Sequence, residues 1–122
     1  MLERTIAAYA AAWKARDRDA WLGTFAADAT QEDPVGDPVH RGIDEIGRFW
    51  DNAMERYEFI EIVPREIHVA GHEAAMVWTI NGRVPEGDVT FDGVDVFTFD
   101  ADARITSVRA YWSREALHRQ LG

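Results

Sequence analysis

Cysteine is absent from the 122 residues. That removes disulfides, thiolate metal sites and a cysteine nucleophile, leaves oxygen and nitrogen chemistry, and fits a reducing cytoplasm without requiring one. Basic residues are also scarce: 13 Lys and Arg stand against 22 Asp and Glu, for a net charge of -9 and a pI near 4.8. Phosphate binding needs clustered Lys and Arg, so neither nucleic acid nor an anionic membrane is expected as partner, and a neutral or apolar ligand fits better. No apolar run approaches the roughly 18 residues that span a bilayer. Residues 6–13 are apolar and Ala-rich, like a leader, but Glu3 spoils a basic start. Leu2, Ile6, Tyr9 and Trp13 recur at helical spacing, so the segment reads as an amphipathic first helix. No glycine-rich phosphate loop precedes a helix, so no nucleotide cofactor is expected. His68 and His72 are four apart across a strand turn at Gly71, and His40 and His118 are isolated, so no metal is expected either.

What is present is the profile of one globular domain over residues 1–122: 47% hydrophobic and 29% charged, without linker, repeat or low-complexity segment. A chain of this length buries roughly two-thirds of its unfolded surface, so a deep cavity would use much of the core and dimerisation would make up the deficit. The first helix covers residues 2–16. Asp17 is placed to cap a short second helix carrying Trp21, Leu22 and Phe25, which ends at 28–30. A third helix follows Gly42, with Ile43, Ile46, Phe49, Trp50, Ala53, Met54 and Tyr57 at spacings of three and four. The period then changes to two, predicting strands over 58–63, 66–70, 74–84, 89–99 and 104–112. Ser113 caps a last short helix holding Leu117. Helices followed by a meander of strands mean α+β: helices on one face of a curved antiparallel sheet, around a conical pocket for which Trp and Phe are wall candidates.

Three residues stand out chemically. In TQEDPVGDP, residues 30–38, Pro34 biases Asp33 toward extended geometry and Gly36-Asp37-Pro38 turns the chain. Glu32 and Asp33 therefore face opposite ways, and at most one enters the pocket; Asp33 could equally just start a turn. In FDGVDVFTF, alternation places Asp95 with Gly93, Phe97 and Phe99, where desolvation would raise its pKa and leave a neutral donor; a solvent-facing or edge strand fits the same pattern. Tyr9 lies on the buried stripe of the first helix, where its hydroxyl needs a partner, even if only a backbone carbonyl. Together they offer an ionised carboxylate to move a proton and two neutral donors for an oxyanion, as proton abstraction beside a carbonyl requires.

On these residues the chain resembles the bacterial ketosteroid isomerases, within the superfamily shaped like nuclear transport factor 2. FAADATQEDPVG is similar to the family's segment around its base, VDVFTFDADARITSVRAYWS to the strand pair holding its acidic donor, and Tyr9 lies at the family's spacing ahead of Asp33. The resemblance covers essentially the whole chain. It implies a cone-shaped curved antiparallel sheet wrapped around three helices, no cofactor, a cytoplasmic homodimer and a steroid substrate. It also implies that Asp33 shuttles a proton while Tyr9 and a protonated Asp95 donate to the dienolate oxygen. Phe49, Trp50, Trp78, Phe97 and Trp112 are by the same similarity pocket walls, although ordinary core packing fits Trp78 and Phe97 as well. One departure is Trp50, where well-known members carry a tyrosine supporting the catalytic one; an indole can only donate. The scaffold also hosts polyketide cyclases, epoxide hydrolases and non-catalytic binding modules. A cyclase of the SnoaL type would not be expected to keep Tyr9 and Asp95 together, and no arginine stands near Asp95 in the sequence to complete the Asp-Arg-Asp site of an epoxide hydrolase.

Overall fold

A computed structural model describes residues 1–121. The elements run α1 (Leu2–Ala15), α2 (Arg18–Leu22), β1 (Phe25–Glu32), β2 (His40–Arg41), α3 (Gly42–Arg56), β3 (Phe59–Ala70), β4 (Glu73–Val84), β5 (Gly87–Phe99), β6 (Ile105–Tyr111) and α4 (Arg114–Gln120). The architecture is the α+β arrangement expected, with α1 against β3 and α3 against β1 on one sheet.

Helix α1 buries Ile6, Tyr9, Ala10, Ala12 and Trp13 and stops at Arg16, whose left-handed backbone turns its N–H onto the Ala12 and Trp13 carbonyls. The Arg16 guanidinium then donates to the carbonyls of Met54 at 2.8 Å and Tyr57 at 3.0 Å, tying this corner to the C-terminal end of α3. Asp17 caps α2 by accepting from the Ala20 N–H at 3.0 Å. Helix α2 ends earlier than its apolar spacing predicts: Phe25 begins β1 instead of closing the helix. Sheet pairing decides this, because the Ile105 N–H bonds to the Thr24 carbonyl at 2.8 Å and draws the chain alongside β6.

The six strands form one sheet in the order β2-β1-β6-β5-β4-β3. Neighbours are antiparallel except β1 and β6, which run parallel. The two strands predicted over 58–63 and 66–70 are a single strand, β3, whose register shifts between Pro64 and Glu66. Proline has no N–H to give a ladder, and β3 lies at the sheet edge where that loss is tolerated. On the inward face Ala74, Met76 and Trp78 of β4 alternate with exposed or half-buried neighbours, as do Asp95, Phe97 and Phe99 of β5. The core between sheet and helices is rich in aromatic residues: Trp50 packs 4.6 Å from Trp13 and 5.1 Å from Trp21, centroid to centroid. Helix α4 is capped by Ser113 and fastened to β5 by Gln120, whose amide accepts from the Thr90 N–H at 2.9 Å and donates to its carbonyl at 2.6 Å. Among the described residues no helix is long and apolar enough to cross a membrane.

Candidate active site

A cavity with about 490 Å³ of atom-free space, part of it continuous with solvent, opens between α1, α3 and the inner face of the sheet. Its walls are apolar: Trp13 from α1, Phe49 and Ala53 from α3, Ile60 and Ile62 from β3, Trp78 and Ile80 from β4, Phe91 from β5, and Trp112. Into this lining project Tyr9, Asp33, Tyr57 and Asp95. The apolar lining and the few convergent polar groups are those of a small-molecule site.

Asp95 lies in the middle of β5, opposite Met76 on one side and Ala110 on the other, and is 3% exposed. This central strand faces inward at Asp95, so the solvent-side and edge-strand alternatives fall away. Burial pushes the Asp95 carboxyl well above the usual carboxylate range, and the charge of Asp33 adds to it. Trp78 and Tyr9 favour the ionised form by less, and the Trp78 Nε1 meets no hydrogen-bond partner among the described residues. Desolvation therefore favours the protonated carboxyl, a form that can donate a hydrogen bond.

Tyr9 is 2% exposed. Its ring is pinned edge-on by Phe97 at 5.1 Å and by Phe25 at 6.0 Å, with Trp21 tilted at 5.7 Å. Burial, then the charges of Asp95 and Asp33, hold the phenol well above its ordinary pKa, so it stays protonated. The two donors and the carboxylate that would oppose them share one apolar cavity.

Asp33 follows directly on β1, before a cis peptide to Pro34. The Trp112 Nε1–H donates to its Oδ1 at 2.6 Å. Burial raises Asp33 to about 6, with the Trp112 bond opposing, the charge of Asp37 assisting, and Gln31 and Arg114 opposing. A carboxyl that ionises just below neutrality is suited to take up and return a proton. Glu32 points the other way: it accepts from the Gly36 N–H at 3.0 Å and pairs with Arg109 at 3.0 Å. The Gly36 bond, then Arg109, hold it below the usual carboxylate range. The acidic pair thus splits, one member to the cavity and one to a surface ion pair. Beyond the turn, Arg114 donates to both Asp37 oxygens, at 3.0 and 2.7 Å, and its guanidinium lies 5.7 Å from the Trp112 ring centre.

Of the five expected wall residues, Phe49, Trp78 and Trp112 line the cavity, whereas Trp50 and Phe97 belong to the core behind it. Trp50 is one helical step round from Phe49 and turns toward Trp13 and Trp21; Phe97 is fully buried between Tyr9 and Phe99. The indole beside the Tyr9 ring is accordingly Trp21. Ile80, which pairs with Phe91 across β4 and β5, escaped the sequence reading, and Phe91 is covered only by the general expectation of Trp and Phe walls, although it shares the face of Asp95 four residues on. The Trp112 bond to Asp33 joins residues far apart in the chain and has no local signal. Among the described residues no group of three or more His, Asp or Glu is placed to hold a metal ion.

Residues 6–108 match the family model of the SnoaL-like domain. The Steroid Delta-isomerase of Nocardioides simplex is 37% identical over 89 residues, which span 73% of this chain and 71% of that protein. Among solved structures, the epoxide hydrolase/cyclase-like enzyme SalBIII, of pyran ring formation in the polyether salinomycin, is similar with a TM-score of 0.84 and 25% identity, covering 93% of this chain and 92% of its own. A Mycobacterium tuberculosis protein solved with estradiol-17β-hemisuccinate shares the fold with a TM-score of 0.83 and 21% identity, covering 93% of this chain and 95% of its own.

Proposed function

The chain belongs to the SnoaL-like domain family, and from that premise we propose that it is a steroid Δ-isomerase, converting 3-oxo-Δ5-steroids to the conjugated Δ4 form. The observation that carries the reading is one apolar cavity holding a carboxyl that titrates near 6 together with two groups whose neutral form burial favours. Asp33, ionised, removes a proton from the carbon between the carbonyl and the double bond. The electron pair moves through the π system to the carbonyl oxygen, giving a dienolate. Tyr9 and Asp95 donate hydrogen bonds to that oxygen, where the charge accumulates, and water is excluded by the surrounding indoles and isoleucines. Protonated Asp33 returns the proton to the far end of the former double bond, so atoms and charge balance without a cofactor. The apolar walls supply the binding energy for a flat hydrocarbon skeleton. The 37% identity to the Nocardioides simplex isomerase supports the same reaction, and the fold holds a steroid ester in the mycobacterial neighbour.

The likeness to SalBIII favours a second reading, a cyclase or epoxide hydrolase using Asp33 as base. No arginine is among the described residues lining the cavity, which weighs against activating water there. A homodimer accompanies the isomerase reading: Ile67 and Val69, exposed on one face of β3, would lie beneath a second copy. The substrate turned over separates the chemical readings. For a β,γ-unsaturated 3-ketosteroid, kcat/KM should rise with pH through about 6 as Asp33 ionises and then level off. Turnover of an epoxide with none of the ketosteroid would transfer the assignment to the second reading.

A further inference from the structure

Gln31 stands on β1 two residues before Asp33, on the same inward face, and is 0% exposed. Its backbone is held on both sides, by His40 of β2 and Val108 of β6. Neither Nε2 nor Oε1 has a hydrogen-bond partner among the described residues. A buried amide with no partner lowers stability, and an unbranched apolar side chain of the same length would fill the space without that penalty. Packing therefore does not account for a glutamine here. The polar group next along the same face is Asp33, and among the described residues only its Oδ1 is taken, by Trp112.

We propose that Gln31 is a positioning residue for the Asp33 carboxylate: its Nε2–H closes on Oδ2 when ligand fills the cavity, so that Gln31 and Trp112 hold one oxygen each. Hydrogen bonds of a catalytic site are commonly loose before ligand binds and tighten in the complex, which accounts for the open amide. Each carboxylate oxygen has a second lone pair, so a carboxylate held in this way still accepts a proton. The influence of Gln31 on Asp33 already runs in the expected sense, toward the ionised form. The other titratable or charged groups around Asp33 come from separate elements: Asp37 from the turn, Arg114 from α4, Asp95 from β5, Tyr9 from α1, and Tyr57 beyond α3. His40 sits beside Gln31 across the strand pair. Replacing Gln31 alone leaves all of them in place.

The inference rests on Asp33 being the base, and its test includes a readout that needs no turnover. In Gln31→Met saturated with a conjugated 3-ketosteroid, the carboxyl of Asp33 is followed by carbon-detected NMR against pH, and the acid limb of kcat, which reports the bound state, is measured alongside. Loss of the amide donor favours the protonated form, so both midpoints move upward by about one pH unit, a tenfold change in proton affinity. Turnover well above that midpoint changes far less, and the melting temperature is kept or raised. An unchanged Asp33 midpoint in a folded variant overturns the inference. So does failure of both Gln31→Met and Gln31→Leu to fold, which would make the side chain structural. Absence of isomerase turnover in the wild type defeats the isomerase reading and leaves the NMR comparison to decide this one.

Discussion

Tyr9 and Asp95 are both acids whose ionisation the protein disfavours, and desolvation is the leading cause for each. A donor that stays neutral in a dry site strengthens as negative charge grows on its acceptor, so its contribution appears in the transition state rather than in binding. Tyr9→Phe removes one such donor while keeping the ring that Phe97 and Phe25 grip. The expected result is a fall in kcat of about 10² to 10³ with steroid affinity within a few-fold, read by steady-state kinetics and equilibrium binding. Unchanged kcat would remove Tyr9 from the oxyanion site. At this scale much was legible. Helical spacing put Tyr9 inward, alternation put Asp95 with Phe97, and the opposed faces of Glu32 and Asp33 follow from strand geometry next to a proline. What stayed hidden were relations between distant positions: Trp112 on Asp33 cannot be read from either segment alone. Neither can the turn of Trp50 away from the cavity, because Phe49 and Trp50 both lie on the wide apolar face of α3, and which of them meets ligand depends on what α1 and α2 place behind them.

The strands set the spacing of the site, and β5 sets most of it. Along this strand Gly93 lies between Phe91, a wall residue, and Asp95, a donor. A Cβ on Gly93 would overlap the Trp78 ring and stand 2.8 Å from the Tyr111 carbonyl oxygen. Both neighbours are in paired strands and the oxygen is backbone, so neither yields cheaply. Gly93→Ala should lower stability by about 1 to 3 kcal/mol, the range for overpacking, measured by chemical denaturation. A neutral effect would mean the Trp78 ring is free to move, and with it the wall beside Asp95. The elements were legible where one period ran long enough, as in α1, α3, β4 and β5. They were misread where long-range pairing overrides local preference. Phe25 has helical spacing from Trp21 but is claimed by the parallel pairing with β6, and the residues beside Pro64 look like a break yet continue an edge strand.

For the whole molecule, a cavity that raises Asp33 is a cost to folding. In the unfolded chain this group ionises near 3.8, in the fold near 6. Below about pH 3 it is protonated in both states and makes no difference. Between 4 and 6 the unfolded chain releases its proton first, so stability falls, and above 6 the penalty is constant at up to about 3 kcal/mol, less to the extent that solvent reaches Asp33. Asp95, raised in the same direction, adds to the decline at higher pH. Asp33→Asn still offers an oxygen to Trp112 but carries no charge, so it should melt higher than the wild type at pH 8 and at nearly the same temperature at pH 3. A lower melting temperature at pH 8 would show that the carboxylate is not strained by its surroundings. The same variant tests the function most directly, since it keeps the shape of the site and removes only the base. The decisive measurement is the rise in ultraviolet absorbance as a β,γ-unsaturated 3-ketosteroid becomes conjugated, wild type beside Asp33→Asn, both checked to be folded. The account predicts rapid conversion by the wild type and kcat lower by at least about 10² in the variant. Full turnover by Asp33→Asn, or none by the folded wild type, would contradict it.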